Sequence, residues 1–268
     1  MLRISKKALL TVVVLASATC MVAVGAFYAK RYAGIRLHRI VKDAVGEALD
    51  DDACDVRRQM QRAACLETAV YVMEHLPKAP AFPDRFALLD HSLQSVDPGL
   101  DGPYCEFGVY MGATINYIAA KTDRTVHGFD SFEGLPEDWR TGYEKGRFKT
   151  PGLPAVLANV KLHKGWFDES LPLWAEANPG PIAFMHLDAD LYSSTKTVFD
   201  VLGDRVVPGT VIQFDDFFNY PGWREGEQKA FMEFVASRQV EFEYLGYCDQ
   251  RYHLAVRILA VGAETADR

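Results

Sequence analysis

Four carboxylates stand in two pairs in the second half of this chain: Asp188 and Asp190 where PIAFMHLD (181–188) ends, and Asp215 and Asp216 where GTVIQFDD (209–216) ends. If those runs are neighbouring parallel strands, the four acids crowd at one sheet edge and repel unless a proton or cation neutralises them. An oxygen-rich set of this kind suits Mg²⁺, which takes carboxylates and keeps waters that substrate oxygens can replace. The competing reading needs no ion: solvated strand-end acids, with Asp190 as N-cap to a helix starting at Ser193-Ser194-Thr195.

A second constellation lies earlier. PYCEFGV (103–109) runs into Tyr110-Met111-Gly112-Ala113-Thr114, so Gly108 and Gly112 permit a tight strand-to-helix turn that brings backbone close to a ligand. Asp130 closes TVHGFD (125–130), 24 residues after Glu106, where a carboxylate can accept hydrogen bonds from a ribose diol. The glycine spacing is not G-x-G-x-x-G, which weakens a nicotinamide-dependent oxidoreductase. Trp166, near the end of VKLHKGWF (160–167), is either a ligand neighbour or plain core packing. The seven histidines are scattered without H-x-x-x-H, and His186 on a buried run reads as a hydrogen-bonded core residue. No G-x-S-x-G and no Walker loop supports hydrolysis or phosphoryl transfer.

The elements that must position these residues follow from the pattern. Five short runs, apolar on both faces and separated by helix-length segments, predict a parallel sheet covered on both sides. EFEYLGYC (241–248) and HLAVRIL (253–259) are joined by only four residues, Asp249 to Tyr252, too few for a crossover helix, so they form an antiparallel hairpin. The fold class is therefore α/β: a Rossmann-like sheet of five parallel strands plus a C-terminal antiparallel hairpin, as in class I methyltransferases. Helical spacing marks 37–49, 56–76, 85–93 and a stretch ending near Ser237. Between Asp216 and that last helix, Tyr220-Pro221-Gly222-Trp223 with Arg224, Glu225 and Glu227 reads either as an acceptor wall or as a turn.

Four ordered segments resemble the macrocin O-methyltransferase (TylF-like) family of S-adenosylmethionine-dependent enzymes: Glu106 to Val109, Phe129 to Pro136, Lys164 to Phe167 with Leu171-Pro172, and His186 to Thr195. The resemblance covers roughly residues 80–260. It implies that Glu106, Gly108 and Gly112 surround the methionine end of S-adenosylmethionine, that Asp130 holds the ribose with Ser131 beside the nucleoside, and that Gly165, Trp166 and Phe167 border the adenine. In metal-dependent relatives the first Asp of D-x-D and the adjacent acidic pair bind the cation and the second Asp is the base. Those positions are Asp188, Asp215 and Asp216 for the metal and Asp190 for the base. Many relatives carry Asp-Glu where this chain has Asp215-Asp216, and both can ligate. Glu133 to Arg140 reads as a loop over the cofactor, and the stretch to Gly152 as a lid. The expected partner is a small-molecule hydroxyl acceptor, a sugar or other polyol, and a second copy of the chain is a further possible partner.

Composition sets the outer limits. The chain has 268 residues, 49% hydrophobic and 24% charged, enough for one globular domain with an appendage. Eight of its 29 Lys/Arg and none of its 36 acids stand in residues 1–42, so the rest carries 21 basic against 36 acidic residues, a charge of −15 that disfavours nucleic acid. Residues 8–28 are 21 consecutive uncharged residues, long enough for a single-pass membrane anchor and longer than a usual signal-peptide core. Three basic residues precede that span and five follow it, a bias toward a cytoplasmic C-terminal domain. Five cysteines without a C-x-x-C pattern read as unpaired thiols of a reducing compartment. The expected organisation is an anchor (1–29), a helical connector ending at a Pro-rich break (30–80) and a methyltransferase domain (81–268). The rival from outside enzymes is a membrane-tethered binding protein with a methyltransferase-like fold.

Overall fold

The computed structural model describes residues 53–262 without a break and, before them, residues 21, 22, 26, 30, 33, 34 and 36–43. The chain divides into two compact units between Gln59 and Met60. Among the described residues no helix is long and apolar enough to cross a membrane. The expected anchor at 8–28 lies outside the described residues except at Met21, Val22 and Ala26.

Helix α1 (Val56–His75) leads to strand β1 (Ala81–Phe82) and helix α2 (Arg85–Gln94). Then come β2 (Tyr104–Phe107), α3 (Ala113–Ala119), β3 (Val126–Asp130), β4 (Val160–Lys164), α4 (Phe167–Ala177), β5 (Phe184–Leu187), α5 (Tyr192–Leu202), β6 (Val211–Phe214), α6 (Glu227–Arg238), β7 (Glu241–Cys248) and β8 (Leu254–Ala260). They build one eight-stranded sheet in the order β1-β7-β8-β6-β5-β2-β3-β4. Strands β2 to β6 are parallel, and β8 lies antiparallel between β6 and β7. The predicted five parallel strands and terminal hairpin are all present, in a mixed sheet.

Two departures have local causes. The Pro-rich break contains β1, which pairs parallel with β7 over only two residues before the chain turns into α2, where the Asp84 side chain accepts from the N–H groups of Phe86 and Ala87. Residues 60–75 of α1, expected in the connector, pack within the sheet unit: Tyr71 is buried, meets the rings of Phe217 and Trp223, and shares a 2.7 Å hydrogen bond with the hydroxyl of Tyr244.

Strands β2, β5 and β6 are buried along their whole length, so both of their faces need apolar cover. Because side chains alternate, Cys105, Met185 and Ile212 enter one core while Tyr104, Phe184 and Val211 enter the other. The same alternation lines up Glu106, His186 and Gln213 as direct neighbours across the sheet, a buried polar row on the second face.

Candidate active site

The parallel strands β2, β3, β5 and β6 end on one edge of the sheet, and a cavity of about 960 Å³ opens there. That lies at the top of the roughly 300–1,000 Å³ typical of small-molecule sites. Its wall includes Gly108, Asp130, Ser131, Gly165, Trp166, Phe167 and all four paired acids.

The turn after β2 admits only glycine at 108. Gly108 has φ +94°, and a Cβ there would lie 1.8 Å from the carbonyl oxygen of Asp188. The two sheet ends are therefore in backbone contact. Gly112, at φ +80°, caps α3 in the left-handed conformation. Asp130 holds the same turn: one carboxylate oxygen accepts from the N–H groups of Val109 and Tyr110, both at 2.8 Å, and the other from Phe132 at 2.6 Å. Ser131 is buried, and its hydroxyl accepts from the Glu133 N–H at 3.1 Å. Gly165 and Trp166 bridge β4 to α4, with Trp166 at the helix N-cap.

The acidic side is more compressed. Donor atoms of Asp188, Asp215 and Asp216 lie within 4.8 Å of one another. Asp215 and Asp216 are buried, while Asp188 and Asp190 are partly open to the cavity. Burial, then the neighbouring negative charges led by Asp215, holds the carboxyls of Asp188 and Asp216 well above the usual carboxylate range. Asp190 is pushed up to about 7 by burial and by Asp215, with Arg140 opposing. It sits at φ +60°, a strained conformation for a non-glycine residue, and makes no side-chain cap to α5, whose N-cap is Leu191.

Asp215 is the exception among the four. Burial raises it too, but His253 beside it, with His186 and Arg85, more than offsets this and holds its carboxyl below the ordinary value. His253 Nδ1, Arg85 Nη1 and His186 Nε2 stand 3.0, 3.7 and 3.8 Å from its Oδ1. None of these contacts has hydrogen-bond geometry, so Oδ1 is a buried oxygen with charged neighbours but without a hydrogen-bond donor. Three close carboxylates with an orphaned buried oxygen fit a hard divalent cation in their donor chemistry.

Glu227, the first residue of α6, ties the two acidic loops together. One of its oxygens accepts from the Ala189 N–H at 3.1 Å and the other from the Asp216 N–H at 3.2 Å. Fully buried, its carboxyl is pushed up to about 8.

Two of the residues anticipated around the cofactor stand outside the cavity wall. Glu106 is completely buried in the polar row, with Oε1 3.0 Å from His186 Nδ1, because its position in β2 points it at the face covered by α2. Gly112 is set back by the first turn of α3. Asp130 stands in the cavity wall as expected for a ribose ligand, and it also holds the turn, since three backbone N–H groups occupy most of its carboxylate's roughly four acceptor directions. Sequence reasoning missed Arg85 and His253 and gave no individual role to Arg140 and Glu227, all four of them wall or support residues. Arg140 lay in the expected loop and Glu227 in the stretch read as acceptor wall or turn, while Arg85 and His253 carry no motif.

The family model Macrocin-O-methyltransferase (TylF) matches residues 147–246, which bears out the resemblance over that segment and takes in Gly165, Trp166 and the four acids. Among curated relatives, the 8-demethyl-8-(2,3-dimethoxy-alpha-L-rhamnosyl)-tetracenomycin-C 4'-O-methyltransferase of Streptomyces olivaceus is 32% identical over 145 residues, 44% of this chain and 54% of that one. The demethyldecarbamoylnovobiocin O-methyltransferase of Streptomyces niveus is 28% identical over 118 residues, 37% and 44% of the two chains. The chain thus spans about half the length of the curated relatives it matches. Two solved structures share the fold: a calicheamicin methyltransferase (TM-score 0.51, 21% identity, 76% of this chain and 93% of that one) and the O-methyltransferase NovP (0.52, 22%, 64% and 79%).

Proposed function

We propose that this chain, matched over residues 147–246 by the TylF macrocin O-methyltransferase family, is an S-adenosylmethionine-dependent O-methyltransferase acting on a hydroxyl of a sugar or similar polyol. The observation that carries the reading is the meeting, in one cavity, of the Gly108–Asp130 turn with the four acids at the ends of β5 and β6. When bound, S-adenosylmethionine would supply an electrophilic methyl group and a divalent cation such as Mg²⁺ would supply Lewis-acid chemistry at the acceptor oxygen.

The chain's own residues position and deprotonate. Gly108 lets backbone approach the methionine end, Asp130 shapes the turn beside the ribose, Ser131 lies by the nucleoside, and Gly165 and Trp166 border the adenine. Asp188, Asp215 and Asp216 would hold the cation. Asp190, in the wall next to them, takes the acceptor's hydroxyl proton. Glu227 keeps the two acidic loops at one separation. Residues 8–28 anchor the chain in a membrane with the catalytic unit on the cytoplasmic side. The direct test is calorimetry with S-adenosylmethionine followed by transfer of a labelled methyl group to a panel of glycosides, with and without chelator. A folded chain that binds no S-adenosylmethionine defeats the proposal.

A further inference from the structure

The loop between β3 and β4 carries a cation held in an unusual way. Trp139 to Tyr143 form a tight turn, with Trp139 N–H donating to the Tyr143 carbonyl at 3.0 Å and Tyr143 N–H to the Arg140 carbonyl at 2.7 Å. This presents Arg140 to a ring of aromatic faces. Its guanidinium carbon lies 4.0 Å from the centroid of Trp139, 4.6 Å from Tyr143, 5.2 Å from Tyr220 and 5.5 Å from Tyr252. Those rings come from the loop, the segment after β6 and the β7–β8 turn.

Aromatic faces hold a guanidinium by its plane and leave its edge N–H groups unused. Among the described residues Arg140 has no side-chain hydrogen bond and no ion pair within 4 Å, its charge reaching Asp190 and Asp216 only at longer range, and its Nε is buried without a partner. A buried donor in that state is costly and calls for an acceptor. The side chain lines the cavity, as do Lys145 and Arg251, which also lack ion pairs among the described residues. A guanidinium fixed by its faces with its fork free matches a planar pair of anionic oxygens better than a single neutral hydroxyl.

We propose that Arg140 is a preformed receptor for an anionic group, phosphate or carboxylate, on the acceptor, which makes the substrate a charged sugar derivative. The inference rests on reading this cavity as the acceptor site. Its test needs neither metal nor turnover: the chain in excess chelator is titrated with glucose 1-phosphate, glucuronate and glucose, followed by ligand-observed NMR. Wild type should bind at least one charged probe tenfold or more tighter than glucose, and whichever of the two is preferred names the anion. Arg140→Gln should abolish that ratio. Arg140→Lys, which keeps charge but not the fork, should restore only part of it. A loosened loop would weaken all three probes together and leave the ratio unchanged. Equal binding of the three probes by wild type, no binding of any, or an unchanged ratio in folded Arg140→Gln overturns the proposal. S-adenosylmethionine affinity, measured separately, reports on the methyltransferase reading: its loss defeats that reading and leaves the charge ratio standing.

Discussion

Asp188 and Asp190 stand two residues apart yet serve different ends in the proposed reaction, so the same near-isosteric change should separate them. Asp190→Asn removes the proton acceptor, and turnover should fall by about 10²–10⁴ with cation affinity nearly retained. Asp188→Asn removes one ligand charge, so excess Mg²⁺ or Mn²⁺ should recover part of the activity. Turnover against metal concentration for both variants checks this, and full wild-type activity under chelation defeats the metal assignment. Glu227→Gln keeps one acceptor oxygen but turns an NH₂ toward either the Ala189 or the Asp216 N–H. Urea unfolding should show a loss of about 1–3 kcal/mol, the cost of a buried donor left unpaired. Asp130→Ala frees three backbone N–H groups as well as a cavity wall. It should therefore lower both S-adenosylmethionine affinity and stability, the latter by about 2–4 kcal/mol. Lost affinity at unchanged stability would mean that the turn stands without the carboxylate.

At the scale of elements, α4 is bound to β3 through the lone pair of one imidazole nitrogen, which also faces β4. The Trp174 indole N–H donates to His127 Nδ1 at 3.0 Å, and His163 Nε2 lies 2.9 Å from the same atom. A proton on Nδ1 would oppose the Trp174 donor. Burial first, then His163 and Lys161, lowers His127 to about 4. Since the unfolded imidazole titrates near 6.5, the unfolded state binds more protons between those values and stability rises with pH across that window. The contribution is complete above about pH 6.5 and lost as pH falls toward 4, on the order of 1–3 kcal/mol. Urea midpoints at pH 7.5 and 5 should show it, and His127→Gln should flatten the difference; an equally steep variant assigns the slope elsewhere. Helix α1 offers a packing test. Tyr71 fills a pocket among Phe217, Trp223 and Tyr244, so Tyr71→Ala should cost about 3–5 kcal/mol by thermal or urea unfolding.

For the whole molecule, the uncharged stretch at 8–28 predicts that the full chain stays with the membrane fraction after carbonate washing and keeps its N-terminus; a mature chain starting at Phe27 in the medium overturns the anchor. Much of the sheet was legible without coordinates. Runs such as YCEF, FMHL and VIQF are apolar on both faces but for one polar residue each, which suits a parallel strand covered on both sides, and the four-residue link before His253 leaves no option but a hairpin. The sequence therefore determined the strands, and of the eleven site residues put forward from strand ends and the family resemblance, nine lie in the cavity wall. It could not assign Glu106, because a strand-end residue faces either the ligand or the buried second face, and only the register with His186 and Gln213 settles which. Nor could it gather Trp139, Tyr220 and Tyr252 around Arg140, since the three lie on separate connections whose convergence depends on β8 inserting between β6 and β7. Local patterns record how each segment meets its own surroundings; contacts between distant loops exist only once the sheet order is fixed, and the caged cation belongs to that tertiary level.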